Sequence, residues 1–173
     1  MNRRFALAAV VSLFCFAGCS STHKATATAS PGLTLDTLKS LEGEWTMPDE
    51  KGVVTTAAVF KTTSNGSVVR EIMFPGTPHE MTNMYHMDGT HMIMTHYCAA
   101  GNQPRMRATS TNGKSIAFGP DSVTNLAKPD DMYMGSMVMT IADADHVSVD
   151  WTSLKNGKPD ASHNVTFTMT RKK

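Results

Sequence analysis

The chain of 173 residues has the length of a single domain, with 40% hydrophobic and 18% charged residues. This composition permits a packed core and argues against extensive disorder. The 16 lysine and arginine residues nearly balance the 15 aspartate and glutamate residues and form no basic block, which argues against nucleic acid as a partner.

The N-terminus has the pattern of an export signal. A basic start is followed by an apolar run, Phe5–Phe16, that is too short to span a bilayer comfortably. Ala17-Gly18-Cys19 then resembles a bacterial lipobox, in which the chain is cut before the cysteine and the thiol is acylated. We therefore predict a lipoprotein signal peptide over residues 1–18 and a lipid on Cys19. Cleavage by an ordinary signal peptidase near the same place is the alternative.

The segment after this cysteine predicts a membrane tether. Residues 19–32 are small and polar, without an apolar period, and we interpret them as a flexible link to a folded domain over residues 33–173. Ser20 stands where an aspartate often retains lipoproteins in the inner membrane, so we expect the periplasmic side of the outer membrane in an envelope with two membranes. With Cys19 acylated, Cys98 would have no disulfide partner within the chain, and the core alone would hold the fold.

The folded part is predicted to begin with one short helix and to continue as strands and turns. Leucines spaced along Leu33–Leu41 predict a helix with an apolar face, which Gly43 can end. Runs rich in threonine, valine, methionine and aromatic residues alternate with turn signals such as Asn-Gly and Asp-Gly. A longer loop, with one helical turn at most, is predicted over residues 120–130. The predicted strands cover residues 43–47, 53–62, 67–74, 80–87, 90–98, 105–110, 115–119, 132–141, 146–154 and 163–171.

This order of elements predicts an all-β fold, an antiparallel meander of about ten strands that forms either a barrel or a sandwich. A closed barrel is favoured because an open meander would leave two exposed edges. The first strand, near Trp45, and the last strand, ending at Arg171, can pair with each other.

Both ends of the domain resemble the lipocalin-like (calycin) barrel superfamily. Leu41-Glu42-Gly43-Glu44-Trp45 is similar to the Gly-x-Trp start of these barrels, and Phe167-Thr168-Met169-Thr170-Arg171 is similar to their last strand. The resemblance implies structural roles for Gly43, Trp45 and Arg171: the tryptophan closes one end of the barrel and the arginine lies across its ring, a cation–π contact.

Two further stretches resemble particular members of this superfamily. The segment from His96 to Pro104 is similar to uncharacterised bacterial calycin-type lipoproteins. Gly157-Lys158-Pro159, followed by His163, resembles nitrobindins, in which a late histidine binds haem iron. This second resemblance implies His163 as a candidate haem ligand.

Most candidate ligand-binding side chains lie in the predicted hairpin over residues 79–98, which is rich in methionine and histidine. A two-residue turn at Asp88-Gly89 would pair Met81 with His96. Because side chains alternate between the two faces of a strand, the methionine-rich face is expected to point inward, and a one-residue slip would turn it outward. The predicted ligand-binding residues on this face are Met81, Tyr85, Met94, His96 and Cys98.

Polar residues that follow the hairpin are candidates for the mouth of the same pocket. Asn102, Gln103 and Arg105 come directly after the strand that ends in Cys98 and, if turned inward, would fix a carboxylate or carbonyl of a ligand. The alternative is a polar loop whose side chains bond the backbone.

The hairpin also allows a metal site. Thioether, imidazole and thiolate groups at Met94, His96 and Cys98 form a soft donor set that suits copper(I). Methionine is also good filler for an irregular core, so core packing is the alternative. Cys98 as a nucleophile would need His96 as its base and a third group to orient it, and no sequence motif of an enzyme is present.

The sequence therefore predicts a lipid-anchored, monomeric envelope protein that binds a small apolar or amphipathic molecule inside a barrel. Its membrane contact would be made through the lipid, and no cofactor is firmly implied. The alternatives are a haem- or copper-binding barrel, and a structural or partner-binding lipoprotein with a filled barrel.

Overall fold

A closed antiparallel barrel of ten strands forms the body of the computed structural model, which describes residues 34–173. One short helix precedes it, α1 (Leu35–Lys39), and the predicted signal peptide, lipidated cysteine and tether lie outside the described residues. The strands are β1 (Gly43–Pro48), β2 (Val54–Thr63), β3 (Val68–Met73), β4 (Met81–Asp88), β5 (His91–Tyr97), β6 (Gln103–Thr111), β7 (Ser115–Thr124), β8 (Tyr133–Ile141), β9 (His146–Lys155), β10 (Lys158–Pro159) and β11 (Val165–Arg171).

The order of pairing confirms the predicted fold class. Each strand from β1 to β9 pairs with its neighbour in the chain, β9 pairs with β11, and β11 returns to β1, where Trp45 lies opposite Arg171. The two-residue strand β10 pairs only with β9 and stands outside the ring. Closure gives each barrel strand two partners, so the ring has no open edge.

One predicted loop is shorter than expected. Strand β7 extends to Thr124, and Ser122 and Thr124 pair with Arg105 and Gln103 of β6. Only residues 125–132 connect it to β8. The predicted loop begins at Pro120, but this proline lies within β7. The register shifts between Arg105 and Met106 of β6 beside it, and a bulge of this kind accommodates a residue without a backbone N–H.

The turn of the β4–β5 hairpin lies one residue later than predicted. Asp88 pairs with His91, so the turn is Gly89-Thr90, and Gly89 adopts a φ of 59°, which favours glycine at this position. His96 consequently lies opposite Asn83 rather than Met81. Odd residues of β4 still face even residues of β5, so the same side chains point into the barrel as in the predicted register.

Helix α1, Trp45 and Arg171 cover one end of the barrel, called the closed end below. The Trp45 ring is fully buried, its Nε1 donates to the carbonyl of Leu41 at 2.8 Å, and Arg171 Cζ lies 4.4 Å from its ring centroid. The same guanidinium donates to the carbonyls of Ser40, Glu42 and Ala144. The contact that the calycin resemblance implied between Trp45 and Arg171 is therefore present.

The middle of the barrel is filled with side chains. Tyr85 of β4 and Phe118 of β7 meet across the interior with ring centroids 6.0 Å apart. Methionine fills the irregular spaces around them, as its flexible thioether side chain can. The fully buried side chains in this region include Met94, Met106, Ile116, Met137 and Met139.

Candidate functional site

Three polar side chains form a hydrogen-bonded row inside the barrel. Glu71, Asn83 and His96 lie opposite one another on β3, β4 and β5, and each is at most 2% exposed. Asn83 Nδ2 donates to Glu71 Oε2 at 2.7 Å, and Asn83 Oδ1 lies 2.7 Å from His96 Nδ1. Tyr85 also donates its hydroxyl to Glu71 Oε2 at 2.7 Å. Buried polar groups of this kind must be paired to be tolerated, and these four pair with one another.

The row assigns the tautomer of His96. Because the amide nitrogen of Asn83 donates to the Glu71 carboxyl group, its oxygen is the atom that faces His96. That oxygen can only accept, so Nδ1 of His96 carries the proton and Nε2 of the neutral ring is an acceptor. Nε2 is buried and has no hydrogen-bond partner among the described residues. The row therefore ends in a free acceptor on the side of the ring away from Asn83.

Burial changes the ionisation of the row. Desolvation lowers the pKa of His96 from 6.5 to about 4, so the ring is neutral at neutral pH. Desolvation raises the pKa of Glu71, and the hydrogen bonds from Asn83 and Tyr85 oppose that rise. Burial, followed by the proximity of Glu71, raises the pKa of Tyr85 well above its usual range, so the hydroxyl remains a donor.

A small apolar pocket lies at the other end of the barrel, beside His96. We call it the open-end pocket; its volume is about 130 Å³. It lies where β3, β5 and β9 end and where β4, β8 and β11 begin. The lining residues are Met73, Met81, His96, Cys98, Met134, Trp151, Val165 and Phe167.

Trp151, which also lines this pocket, has a second buried polar atom without a partner. The rings of His96 and Trp151 reach towards each other from β5 and β9, with centroids 4.8 Å apart. Trp151 is 3% exposed, and its Nε1 is buried without an acceptor among the described residues. The exposed walls of the pocket are apolar or sulfur-containing, so neither of these two buried nitrogen atoms faces its free space.

The structure brings together only part of the predicted ligand-binding set. Met81, His96 and Cys98 line the open-end pocket. Tyr85 and Met94 also point inward, but both are fully buried deeper in the filled part of the barrel. The five residues therefore share the inner face without sharing one pocket.

The polar residues after the hairpin do not line the open-end pocket. Asn102 is buried beneath a separate groove between the β5–β6 and β7–β8 loops, where its Nδ2 donates to the Met132 carbonyl. Gln103 and Arg105 line a groove on the outer face of β5, β6 and β7. Arg105 also lies within 3.5 Å of Asp121 as an ion pair. Alternation along β6 explains the difference, because the buried Pro104 and Met106 face inward and Gln103 and Arg105, at the alternate positions, face outward.

Sequence reasoning missed seven residues of this site: Glu71, Met73, Asn83, Met134, Trp151, Val165 and Phe167. Glu71 had a usable signal, because it lies between Val69 and Met73 on the apolar side of an alternating strand. A charged residue at such a position requires buried partners. Trp151 gave no such signal, since its neighbours across the barrel come from distant parts of the chain.

The candidate metal-binding residues lie in different parts of the structure. His163 lies in the 3₁₀ turn Ala161–His163, is exposed, and contacts the Ser162 hydroxyl at 2.8 Å, so it does not line the open-end pocket. Among residues 34–173, no group of three or more histidine, cysteine, aspartate or glutamate side chains is placed to hold a metal ion. His96 and Cys98 do share the open-end pocket with three methionines, Met73, Met81 and Met134.

The low pKa of His96 predicts a loss of stability in acid. Between pH 6.5 and about 4 the unfolded histidine binds a proton and the folded one does not, so the free energy of unfolding falls as pH decreases through this window. The shift corresponds to about 3 kcal/mol. His96→Gln retains an amide donor for Asn83 but does not titrate. Over the same pH interval, the free energy of unfolding of this variant should therefore fall by about 3 kcal/mol less than that of the unmodified protein.

Urea unfolding of both proteins at several pH values measures this difference. Glu71 is present in both proteins, and its raised pKa acts with the opposite sign, so the comparison isolates His96. The exposed His91 provides the control, since His91→Gln should follow the unmodified protein. If the free energies of unfolding of His96→Gln and the unmodified protein changed in parallel with pH, the result would contradict a neutral buried imidazole.

Comparison with known proteins assigns no family to the chain. No protein-family model matches it, and no curated protein gives a significant match. Within residues 34–173, no helix is long and apolar enough to cross a bilayer.

Proposed function

We propose that this protein is a calycin-like binding protein that takes a small apolar or amphipathic molecule into the open-end pocket. The observation that carries the proposal is the pocket itself, whose walls are mostly methionine and aromatic side chains, in a barrel that is filled elsewhere. Apolar walls with few polar groups are typical of small-molecule sites. The contact between Trp45 and Arg171 supports the calycin assignment.

The size of the pocket limits its guest. A volume of about 130 Å³ is close to the roughly 150 Å³ of a cavity that holds benzene in another protein. Typical drug-sized sites are larger, at about 300 Å³ or more. The pocket therefore has room for one ring or a few carbon atoms, and a larger guest such as a fatty acid would either project from the open end or require the filled interior to open.

The proposal predicts that filling the pocket abolishes binding. Val165 lies on β11 opposite Trp151, and Val165→Phe would place a ring in the space of the guest. Titration of the full chain with benzene, followed by calorimetry, should give saturable binding that Val165→Phe removes. Thr168→Phe is the matched control, because Thr168 is exposed on the same strand and should bind benzene normally. Binding that survives Val165→Phe, or no binding to the unmodified protein, would favour a structural barrel.

The location of the protein is the second part of the proposal. We propose that a lipid on Cys19 anchors the barrel to the bacterial envelope, on the periplasmic side of the outer membrane, and the support is the apolar run that ends in Ala17-Gly18-Cys19. Mass spectrometry of membrane-extracted protein should find a diacyl or triacyl group on an N-terminal Cys19. Cys19→Ala should release the protein from the membrane fraction. A mature protein with an unmodified Cys19 would contradict the anchor.

Copper(I) is a second candidate for the same pocket. The specific observation is the collection of soft donors on its wall: the His96 imidazole, the Cys98 thiol and the thioethers of Met73, Met81 and Met134. These groups suit a soft monovalent ion. Competition with a chromogenic copper(I) chelator tests this function, and His96→Gln and Cys98→Ser should each weaken binding. Retention of copper(I) by the double variant would place the metal elsewhere.

A further inference from the structure

The walls of the open-end pocket come from a restricted set of side chains. Of its eight lining residues, Val165 alone has a saturated hydrocarbon side chain. Three are methionines, one is Cys98, and three carry aromatic rings, namely His96, Trp151 and Phe167. Among the described residues, no lysine, arginine, aspartate or glutamate lines the pocket. A guest therefore meets sulfur and aromatic carbon far more than saturated carbon, and it meets no charge.

The aromatic walls lie on more than one strand. The His96 and Trp151 ring centroids are 4.8 Å apart, and because neither buried nitrogen faces the free space, these rings offer only carbon to a guest. Phe167 of β11 is half-buried, and it packs edge-on against Phe74 with centroids 5.2 Å apart. Edge-to-face and offset contacts between aromatic rings are favourable beyond the area that they bury. An aromatic guest can make such contacts here and a saturated one cannot.

The methionines add a second preference of the same kind. Met73 Sδ lies 3.4 Å from Asn83 Nδ2, so this sulfur is already in contact with the hydrogen-bonded row. Met81 and Met134 are half-buried at the pocket and make no such contact. Their unbranched side chains can turn a thioether sulfur towards a guest, and sulfur makes favourable contacts with aromatic rings. A saturated hydrocarbon gains nothing comparable from these two side chains.

We infer that the open-end pocket selects an aromatic ring over a saturated hydrocarbon of similar volume, so that its guest is an arene or a molecule that inserts an aromatic ring. This inference rests on the proposed function and specifies its ligand class. A polar substituent would find no hydrogen-bonding partner on the exposed walls, so it would have to project from the open end.

Two hydrocarbons of similar volume test the inference on the full chain. Benzene is aromatic and cyclopentane is saturated, and burial of apolar area alone would give them similar affinities. Calorimetry should show that benzene binds about tenfold more tightly than cyclopentane, because the contacts with rings and sulfur add to the area term.

Variants of the walls identify the source of the preference. Phe167→Leu removes an aromatic face, and Met81→Leu removes a sulfur atom while it keeps a similar volume. Each should lower the ratio of benzene to cyclopentane affinity, a readout that a general change in packing would not move in one direction. Met87→Leu is the matched control, since Met87 is 42% exposed on β4 and does not line the pocket, and its ratio should equal that of the unmodified protein.

The outcomes separate this inference from the proposed function. Equal affinities of the unmodified protein for benzene and cyclopentane would overturn the aromatic preference and leave the apolar pocket standing. A benzene preference that neither Phe167→Leu nor Met81→Leu reduces would overturn its assignment to these walls. Failure of both hydrocarbons to bind the unmodified protein would overturn the proposed function as well.

Discussion

Replacing Trp45 with alanine is expected to lower the free energy of unfolding by about 3–5 kcal/mol, because truncation of a buried aromatic side chain leaves a cavity. The ring is completely buried at the closed end and packs edge-on against Phe60, with the two ring centroids 6.4 Å apart. The substitution also removes the Nε1 bond to the Leu41 carbonyl and the surface on which the Arg171 guanidinium rests. The link between helix α1 and β1 therefore loses a contact with the barrel, while the buried Leu35 and Leu38 still attach the helix itself.

Urea unfolding monitored by circular dichroism measures this cost. Trp45→Phe should be intermediate, because it retains a ring for Arg171 but no indole N–H for Leu41. Val54→Ala is the matched control, since Val54 is 67% exposed and should change stability by less than about 0.5 kcal/mol. A Trp45→Ala variant as stable as this control would show that the closed end does not hold the barrel together.

Replacing Asn83 with leucine is expected to have an effect of similar size, about 3–5 kcal/mol, since it leaves two buried groups without a partner. The Glu71 carboxyl group would lose one of its donors, and the His96 Nδ1–H would lose its acceptor. Leucine has the same branched shape and the same number of heavy atoms as asparagine, so the substitution removes hydrogen bonds without leaving a cavity. The neighbouring Thr82 points the other way, and Thr82→Leu should be nearly neutral.

A double-mutant cycle tests whether the loss of stability in Asn83→Leu comes from its hydrogen bond to Glu71. Once Asn83 is leucine, replacing Glu71 with leucine as well removes a carboxyl group that is already poorly paired. The double variant should therefore lose less stability than the sum of the single variants, by more than about 0.5 kcal/mol. Additive losses within that margin would indicate that Glu71 and Asn83 act independently, contrary to the hydrogen-bonded row.

The fold was predictable from the sequence because its signals are local. Asn-Gly and Asp-Gly turns separate the strands, and alternation within each strand distinguishes inward from outward residues even where the turn is misplaced by one position. The hairpin illustrates this, since moving the turn to Gly89-Thr90 changes the partner of His96 but not its face. The extension of β7 past Pro120 was not predictable, because the accommodating register shift depends on its pairing with β6.

The site was only partly predictable because its contacts cross the barrel. His96 and Cys98 could be placed on the inner face, but the identity of the residues opposite them depends on the closure of ten strands. Trp151 meets His96 only because β9 lies across the interior from β5. The boundary between filled core and pocket depends on how flexible methionine side chains pack, which periodicity does not determine.

The central claim, that a small guest occupies the open-end pocket, is tested most directly by methionine methyl NMR. The chain has 14 methionines, and selective ¹³C-methyl labelling distinguishes those that line the pocket from those in the filled interior. Titration with benzene should shift the methyl resonances of Met73, Met81 and Met134 through the ring current, and should leave those of Met94, Met106 and Met139 in place. Unchanged pocket resonances, or shifts confined to the filled interior, would contradict the account.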